Sequence, residues 1–133
     1  MRELIVIKPE QRSTETAQTP GLVRAAAISM ETTGSTRIWM GYAMMPPGST
    51  SGPHHHGDCE SGIYMVKGHA RFYGGEHLEE VRDAGPGDFI FVPPWAIHQE
   101  TNLSETEPVE MIVVRDSQET LVYNVDVSRA ESG

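Results

Sequence analysis

The sequence predicts an all-β fold, and three observations carry that reading. Its apolar runs are short and rich in β-branched and aromatic residues. Clusters of Gly, Pro, Asn, Asp and Ser interrupt them about every 8–12 residues. No stretch places its apolar residues at the 3.6-residue spacing of a helix face. At 133 residues the chain reads as one domain. A chain of that size buries roughly two-thirds of its unfolded surface, enough for a core without disulfides.

Taken in order, Leu4–Ile7 is apolar and β-branched and suits a strand, and residues 8–21 are polar and Pro-containing and suit an arm. Leu22–Met30 reads as a strand, being short and flanked by turn residues, and Glu31–Ser35 as a turn. In the strand Arg37–Met45, Ile38, Met40, Tyr42 and Met44 share one face, and Trp39, Gly41, Ala43 and Met45 the other. Pro46-Pro47-Gly48 ends it, because proline donates nothing to a sheet ladder. Further strands are read at Ile63–Val66, Ala70–Tyr73, Leu78–Arg82, Phe89–Val92, Ile97–Thr101, Val109–Arg115 and Leu121–Val127. Turns at Lys67-Gly68-His69, Gly74-Gly75 and Gly85-Pro86-Gly87-Asp88 separate several of them. Residues 1–21 are thus a terminal strand and arm, 22–127 the β domain, and 128–133 a flexible tail.

The formal charge of −9 argues against nucleic acid or an anionic membrane as partner. The lone cysteine, Cys59, has no internal disulfide partner, which points to a cytoplasmic chain. The apolar run near the N-terminus is too short for a signal h-region or a membrane span.

The stretch Gly48–Gly68, GSTSGPHHHGDCESGIYMVKG, carries the densest chemistry. In an extended backbone His54 and His56 point to one face while His55 points away. Gly57-Asp58 permits a bend that returns Glu60 to the same cavity, and a neighbouring strand brings His98. Neutral imidazole is the commonest protein ligand of transition metals. His54, His56, Glu60 and His98 are therefore the candidate ligands of one divalent ion, among Mn, Fe, Zn, Ni and Cu. Met40, Tyr42, Tyr64, Phe91 and Trp95 are candidates to line the cavity, against the plainer reading of core packing. Arg37 and Arg71 read as solvated surface residues, and Gln99, Glu100, Tyr42 and Tyr64 as unranked acid–base candidates.

Two segments resemble the two motifs of the cupin superfamily. The first motif runs Gly, five residues, His, one residue, His, three or four residues, Glu, six residues, Gly. It is matched by Gly48, His54, His56, Glu60 and Gly68, but with seven residues before the last glycine. The second motif is matched by Gly87, Pro93, His98 and Asn102, with Trp95 where the family has Gly. The resemblance implies a single-domain double-stranded β-helix, or jelly-roll, barrel with the metal inside. It assigns the ligands to His54, His56, Glu60 and His98. The odd spacing leaves two alternatives: a bulge near Ser61-Gly62 restores Glu60 to the cavity, or three histidines plus water make the site. Trp95 is costly at a positive φ, so another turn type is expected there.

The function read from this pattern is a metal-dependent enzyme acting on a small organic substrate by dioxygenase, isomerase, decarboxylase or lyase chemistry. The alternative is a non-catalytic metal-containing module that binds or senses a small molecule. By analogy with cupins of this size, a homodimer is expected, with the Leu4–Ile7 strand added to a neighbour's sheet.

Overall fold

The computed structural model describes residues 3–118 and 122–127, and among these residues there are ten short strands. They are β1 (Val23–Ile28), β2 (Trp39–Met45), β3 (His54–His55), β4 (Ser61–Lys67), β5 (Ala70–Gly74), β6 (Glu80–Ala84), β7 (Phe89–Val92), β8 (His98–Asn102), β9 (Val109–Arg115) and β10 (Tyr123–Asn124). One sheet has the order β1-β2-β9-β4-β7 and the other β10-β3-β8-β5-β6, all antiparallel. This is a jelly roll of two facing sheets rather than a barrel closed by one continuous ladder.

Alternation along β2 and β9 shows why the sequence folds this way. Trp39, Gly41, Ala43 and Met45 are buried while Met40, Tyr42 and Met44 are only partly so, and β9 alternates likewise from Val109 to Arg115. One face of each strand thereby joins the core and the other faces outward.

The interior changes character along its length. At one end Met45 pairs with Val109, then Ala43 with Met111 and Met111 with Met65, all in the buried apolar cluster. At the other end the rung is Trp39–Arg115–Ser61–Val92. The second sheet runs in step. Asn102 donates to the carbonyls of Met45, Pro46 and Glu107 at the apolar end, and Glu100 and His98 follow along β8 on the same face. The polar end of both sheets is therefore the same end.

Several elements depart from the sequence reading. Leu4–Ile7 forms no strand, and Leu4, Ile5 and Val6 are exposed. The outer edge of β1 is met instead by Ser13, which exchanges both backbone hydrogen bonds with Ala26. The expected turn after β1 contains one helical turn, α1 (Met30–Thr33), closed by a Ser29–Thr32 capping box and by Gly34 at φ 78°. β6 starts two residues later than expected, because Leu78 is buried in the preceding turn at φ 56°. Of Leu121–Val127 only Tyr123–Asn124 pairs, with β3, while Leu121 and the tail 128–133 lie outside the described residues.

Candidate metal centre

His54 and His98 are direct cross-strand partners in β3 and β8. Their rings lie 4.2 Å apart, and His56 lies 5.2 Å from His54 and 5.1 Å from His98. All three are buried, and one ligand atom from each falls within 4.8 Å of the others. His55 turns the other way and stacks on Tyr123 at 5.0 Å.

Hydrogen bonds set the tautomers. The Nδ1 of His54 lies 2.8 Å from the Gly52 carbonyl, and that of His98 3.0 Å from the Ala96 carbonyl. A carbonyl only accepts, so each Nδ1 carries the proton and each Nε2 keeps its lone pair. Those Nε2 atoms point at one carboxylate, that of Glu100, at 3.9 Å for His54 and 3.5 Å for His98.

Glu100 is held rigidly. Ser51 donates its hydroxyl to Oε2 at 2.8 Å and accepts the Glu100 backbone N–H at 2.9 Å. Burial pushes this carboxyl up, but His54, His98, Arg24 and the Ser51 hydroxyl outweigh it and hold it below the usual carboxylate range. Arg24, also buried, reaches the Nε2 of His54 at 3.3 Å and the hydroxyl of Thr19 at 2.9 Å.

Glu60 requires a correction: it is exposed and lies outside the chamber. The register of β4 on β9 is unbroken from Ser61↔Arg115 to Met65↔Met111, and the irregularity comes only between Met65 and Lys67. No bulge interrupts β4 from its first residue, Ser61, so parity points Ser61 inward and Glu60 outward. The Glu60 backbone is pinned there by Asp116, which accepts its N–H at 3.0 Å. Ser61 falls five positions after His56 and seven before Gly68, with four and six residues between, which is the family's own spacing for the acid. The sequence reading missed this, and it left Glu100 unranked although its i+2 position from His98 sets it on the same strand face.

The expected lining residues also lie elsewhere. Met40, Tyr64 and Phe91 line a groove on the outer face of the first sheet, and Tyr42 stands on the same outer face, donating to Glu110 at 2.6 Å. Their parity is opposite to that of the buried Trp39, Gly41, Ala43 and Met45. Trp95 does adopt a positive φ, 65°, and is exposed at 5.8 Å from the His55 ring. Its N–H donates to the Gly57 carbonyl at 2.8 Å, and this bond ties the turn before His98 to the one after His56. Arg71 is paired with Asp83 on the surface. Among the described residues the buried arginines are Arg24 and Arg115, neither of which the sequence reading singled out.

The cluster suits a transition ion. Nitrogens bound at about 2.1 Å to one ion lie roughly 3–4 Å apart, so a closure of about 1–2 Å brings the three histidines into range. Carbonyl-locked Nδ1–H groups are the arrangement that metal-bound imidazoles use. For an ion to enter, Arg24 must release its bond to His54.

A pH prediction arises from this burial. Desolvation, helped by the charges of His98 and Arg24, holds the His54 imidazole down to about 4, although Glu100 and the Gly52 carbonyl oppose it. In the unfolded chain the group titrates near 6.5, so between those values the unfolded state binds more protons. In metal-free protein His54 thus contributes stability that is complete above pH 6.5 and lost as pH falls to about 4, by roughly 3 kcal/mol. Urea titrations across this range check it, and His54→Gln flattens the slope.

Comparison with known proteins agrees with this architecture. The family model described as cupin domain matches residues 41–115, more than half of the chain. A Klebsiella pneumoniae protein with a double-stranded β-helix domain superposes with a TM-score of 0.67 at 16% identity, over 84% of this chain and 90% of that one. The polyketide cyclase of Streptomyces resistomycificus superposes with a TM-score of 0.70 at 20% identity, over 96% of this chain and 87% of the cyclase. Bacillus subtilis oxalate decarboxylase gives 0.68 at 22% identity, over 86% of this chain but only 29% of the enzyme. No curated protein sequence matches the chain. The β-sandwich with its buried histidines on β3 and β8, and the family match across the domain, together make the chain a member of the cupin family.

Proposed function

We propose that the protein is a metal-dependent enzyme acting on a small organic molecule, with His54, His56, His98 and Glu100 holding the ion. The observation that carries this is the convergence of three buried imidazoles, two with their Nε2 lone pairs fixed toward one carboxylate. A bound divalent ion supplies Lewis acidity, polarising a carbonyl or enolate oxygen, or a site for dioxygen. The chain's own contribution is to keep the imidazoles neutral, to keep Glu100 ionised through Ser51 and Arg24, and to exclude bulk water. Similarity in fold to oxalate decarboxylase, oxalate oxidase and a polyketide cyclase supports a catalytic reading, in decarboxylase, dioxygenase, isomerase or lyase chemistry.

One observation favours the second reading, a chamber that binds or senses without turnover. Glu100 is the one acid among the buried described residues, and as a metal ligand it leaves no interior general base. The decisive experiment is elemental analysis of the purified protein, then turnover of keto acids, oxalate, sugars and catechols with Fe(II) and with Mn(II). One equivalent of bound metal with turnover of one class supports the enzyme. Metal and ligand binding without turnover supports the module. Absence of metal under both loadings overturns the site.

The partner we propose is a second copy of this chain. Met40, Tyr64, Phe89, Phe91, Ile112 and Val114 border an apolar groove of about 800 Å³ on the outer face of the first sheet. Phe89 is 81% and Phe91 62% exposed. The Arg12 guanidinium stacks 4.3 Å above the Tyr42 ring, so the N-terminal arm leaves from this same face with Leu4, Ile5 and Val6 bare. Two-fold pairing covers both grooves and lays each arm over the partner, at the roughly 800 Å² per subunit of a stable interface. Sedimentation equilibrium is expected to show a dimer, and Phe89→Glu a monomer with unchanged metal content; a monomeric wild-type protein overturns the proposal.

Among the described residues no helix is long and apolar enough to cross a membrane. The single cysteine is free and buried, which fits a reducing compartment, and we place the protein in the cytoplasm.

A further inference from the structure

The rung Trp39–Arg115–Ser61 closes the polar end of the first sheet, at the same end of the interior as the histidines. Arg115 and Ser61 are 4% and 2% exposed. Three of their polar atoms have no hydrogen-bond partner: the Ser61 hydroxyl and the Nε and Nη2 of Arg115. Buried polar atoms are nearly always satisfied, and a buried charge is costly without a counter-charge. The Arg115 guanidinium lies 4.5 Å over the Trp39 ring. That contact supports the cation from one side and consumes no N–H.

The backbone is shaped to keep this stack. A Cβ at Gly41 would lie 2.5 Å from the Trp39 ring and 2.7 Å from the Ala25 carbonyl. Glycine therefore lets the indole lie flat over the strand and offer its face to Arg115. Among the described residues the buried charges are two arginines and one acid, and Glu100 is already engaged by Ser51, His54 and His98. Arg115 thus shares the single Glu100 charge with Arg24 and makes no direct bond to it.

We propose that Arg115 and Ser61 form an anion subsite beside the histidine cluster, which takes the carboxylate of a small organic acid. Nε–H and Nη2–H are the parallel pair on the side of a guanidinium, spaced to bind both oxygens of a carboxylate. The Ser61 hydroxyl supplies a third donor from the adjacent strand. These three donors face the interior, sealed from solvent, while a groove of about 200 Å³ bordered by Glu60, Gly62, Phe91, Val114 and Asp116 runs along the outer side of the same rung. The chain's net charge of −9 and the acidic rim work against long-range attraction, so selectivity comes from these short-range bonds. The residue at the family's acid position is thereby a substrate contact in this chain. The inference names the substrate class of the enzyme proposed above and rests on that reading only for what is done to the acid once bound.

Calorimetric titration of acetate and malonate, with acetamide and malonamide as uncharged isosteres and with inorganic phosphate as a tetrahedral anion, tests it in metal-stripped and metal-loaded protein. Both carboxylates are expected to bind at least about 10-fold tighter than their amides and tighter than phosphate. Arg115→Gln should remove that preference, and Ser61→Ala should weaken it several-fold, each with unchanged metal content. In wild-type context, and in Trp95→Phe, which leaves Trp39 as the only indole, acetate should change the fluorescence and acetamide should not. Equal binding of acids and amides, or of phosphate and carboxylate, overturns the subsite, as does a silent Trp39. Carboxylate preference in protein that takes up no metal leaves the subsite standing and defeats the metal reading, and metal uptake without the preference does the reverse.

Discussion

Replacing His98 by alanine is expected to lower metal affinity at least 100-fold, and His54→Ala and His56→Ala to do the same, while His55→Ala leaves it within about twofold. The contrast follows from strand geometry. His54 and His56 turn into the chamber, and His55 turns out onto Tyr123. Loss of one imidazole leaves an ion with too few protein donors, and the neighbouring arginines repel it. Competition titration against a chromophoric chelator measures each affinity, with the thermal melt confirming that each variant folds. Equal losses across the histidine run would dispose of the alternating geometry.

The second large effect concerns Glu100 and is read in metal-free protein. Glu100→Ala is expected to cost about 3–5 kcal/mol of stability, because it strips the counter-charge from Arg24 and leaves a buried cation unpaired. Burial already lowers the Arg24 pKa, with the Glu100 charge opposing that fall, so its removal deepens the penalty. Glu100→Gln keeps an acceptor for Ser51 and should cost less. In the double variant Arg24→Met/Glu100→Leu, both charges are gone and most of the loss should return. Urea unfolding of wild type, Arg24→Met, Glu100→Leu and the double variant closes this cycle. If Glu100→Ala costs under 1 kcal/mol, the carboxylate does not balance the interior charge. In metal-loaded protein the same single substitution should lower affinity as well, because Glu100 stands where the first motif's acid was expected to reach.

Strand positions were legible because alternation is local. The runs Val109–Arg115 and Phe89–Val92 coincide with observed strands, and the Pro-Gly turns fall between strands. The histidines were legible for the same reason: two positions of one parity in HHH, and one more in a strand after a Pro-rich turn. Trp95 misled, since a large side chain at φ 65° is costly in isolation. The bond from its N–H to Gly57 belongs to the tertiary fold and holds the turn in place.

By itself the sequence determined the all-β architecture, the alternation within each strand and the shared face of His54 and His56, because each depends on residues near one another along the chain. The identity of the carboxylate was decided only by tertiary structure. Whether Glu60 or Ser61 faces inward depends on where β4 slips against β9, and that slip occurs at Met65–Lys67. The placement of Arg24 and Arg115 was decided there too, because the charge of a strand residue says nothing of which rung it will share. Register between distant strands is a property of the packed sheets, set by how the whole inner face fits together, and no short window of residues contains it.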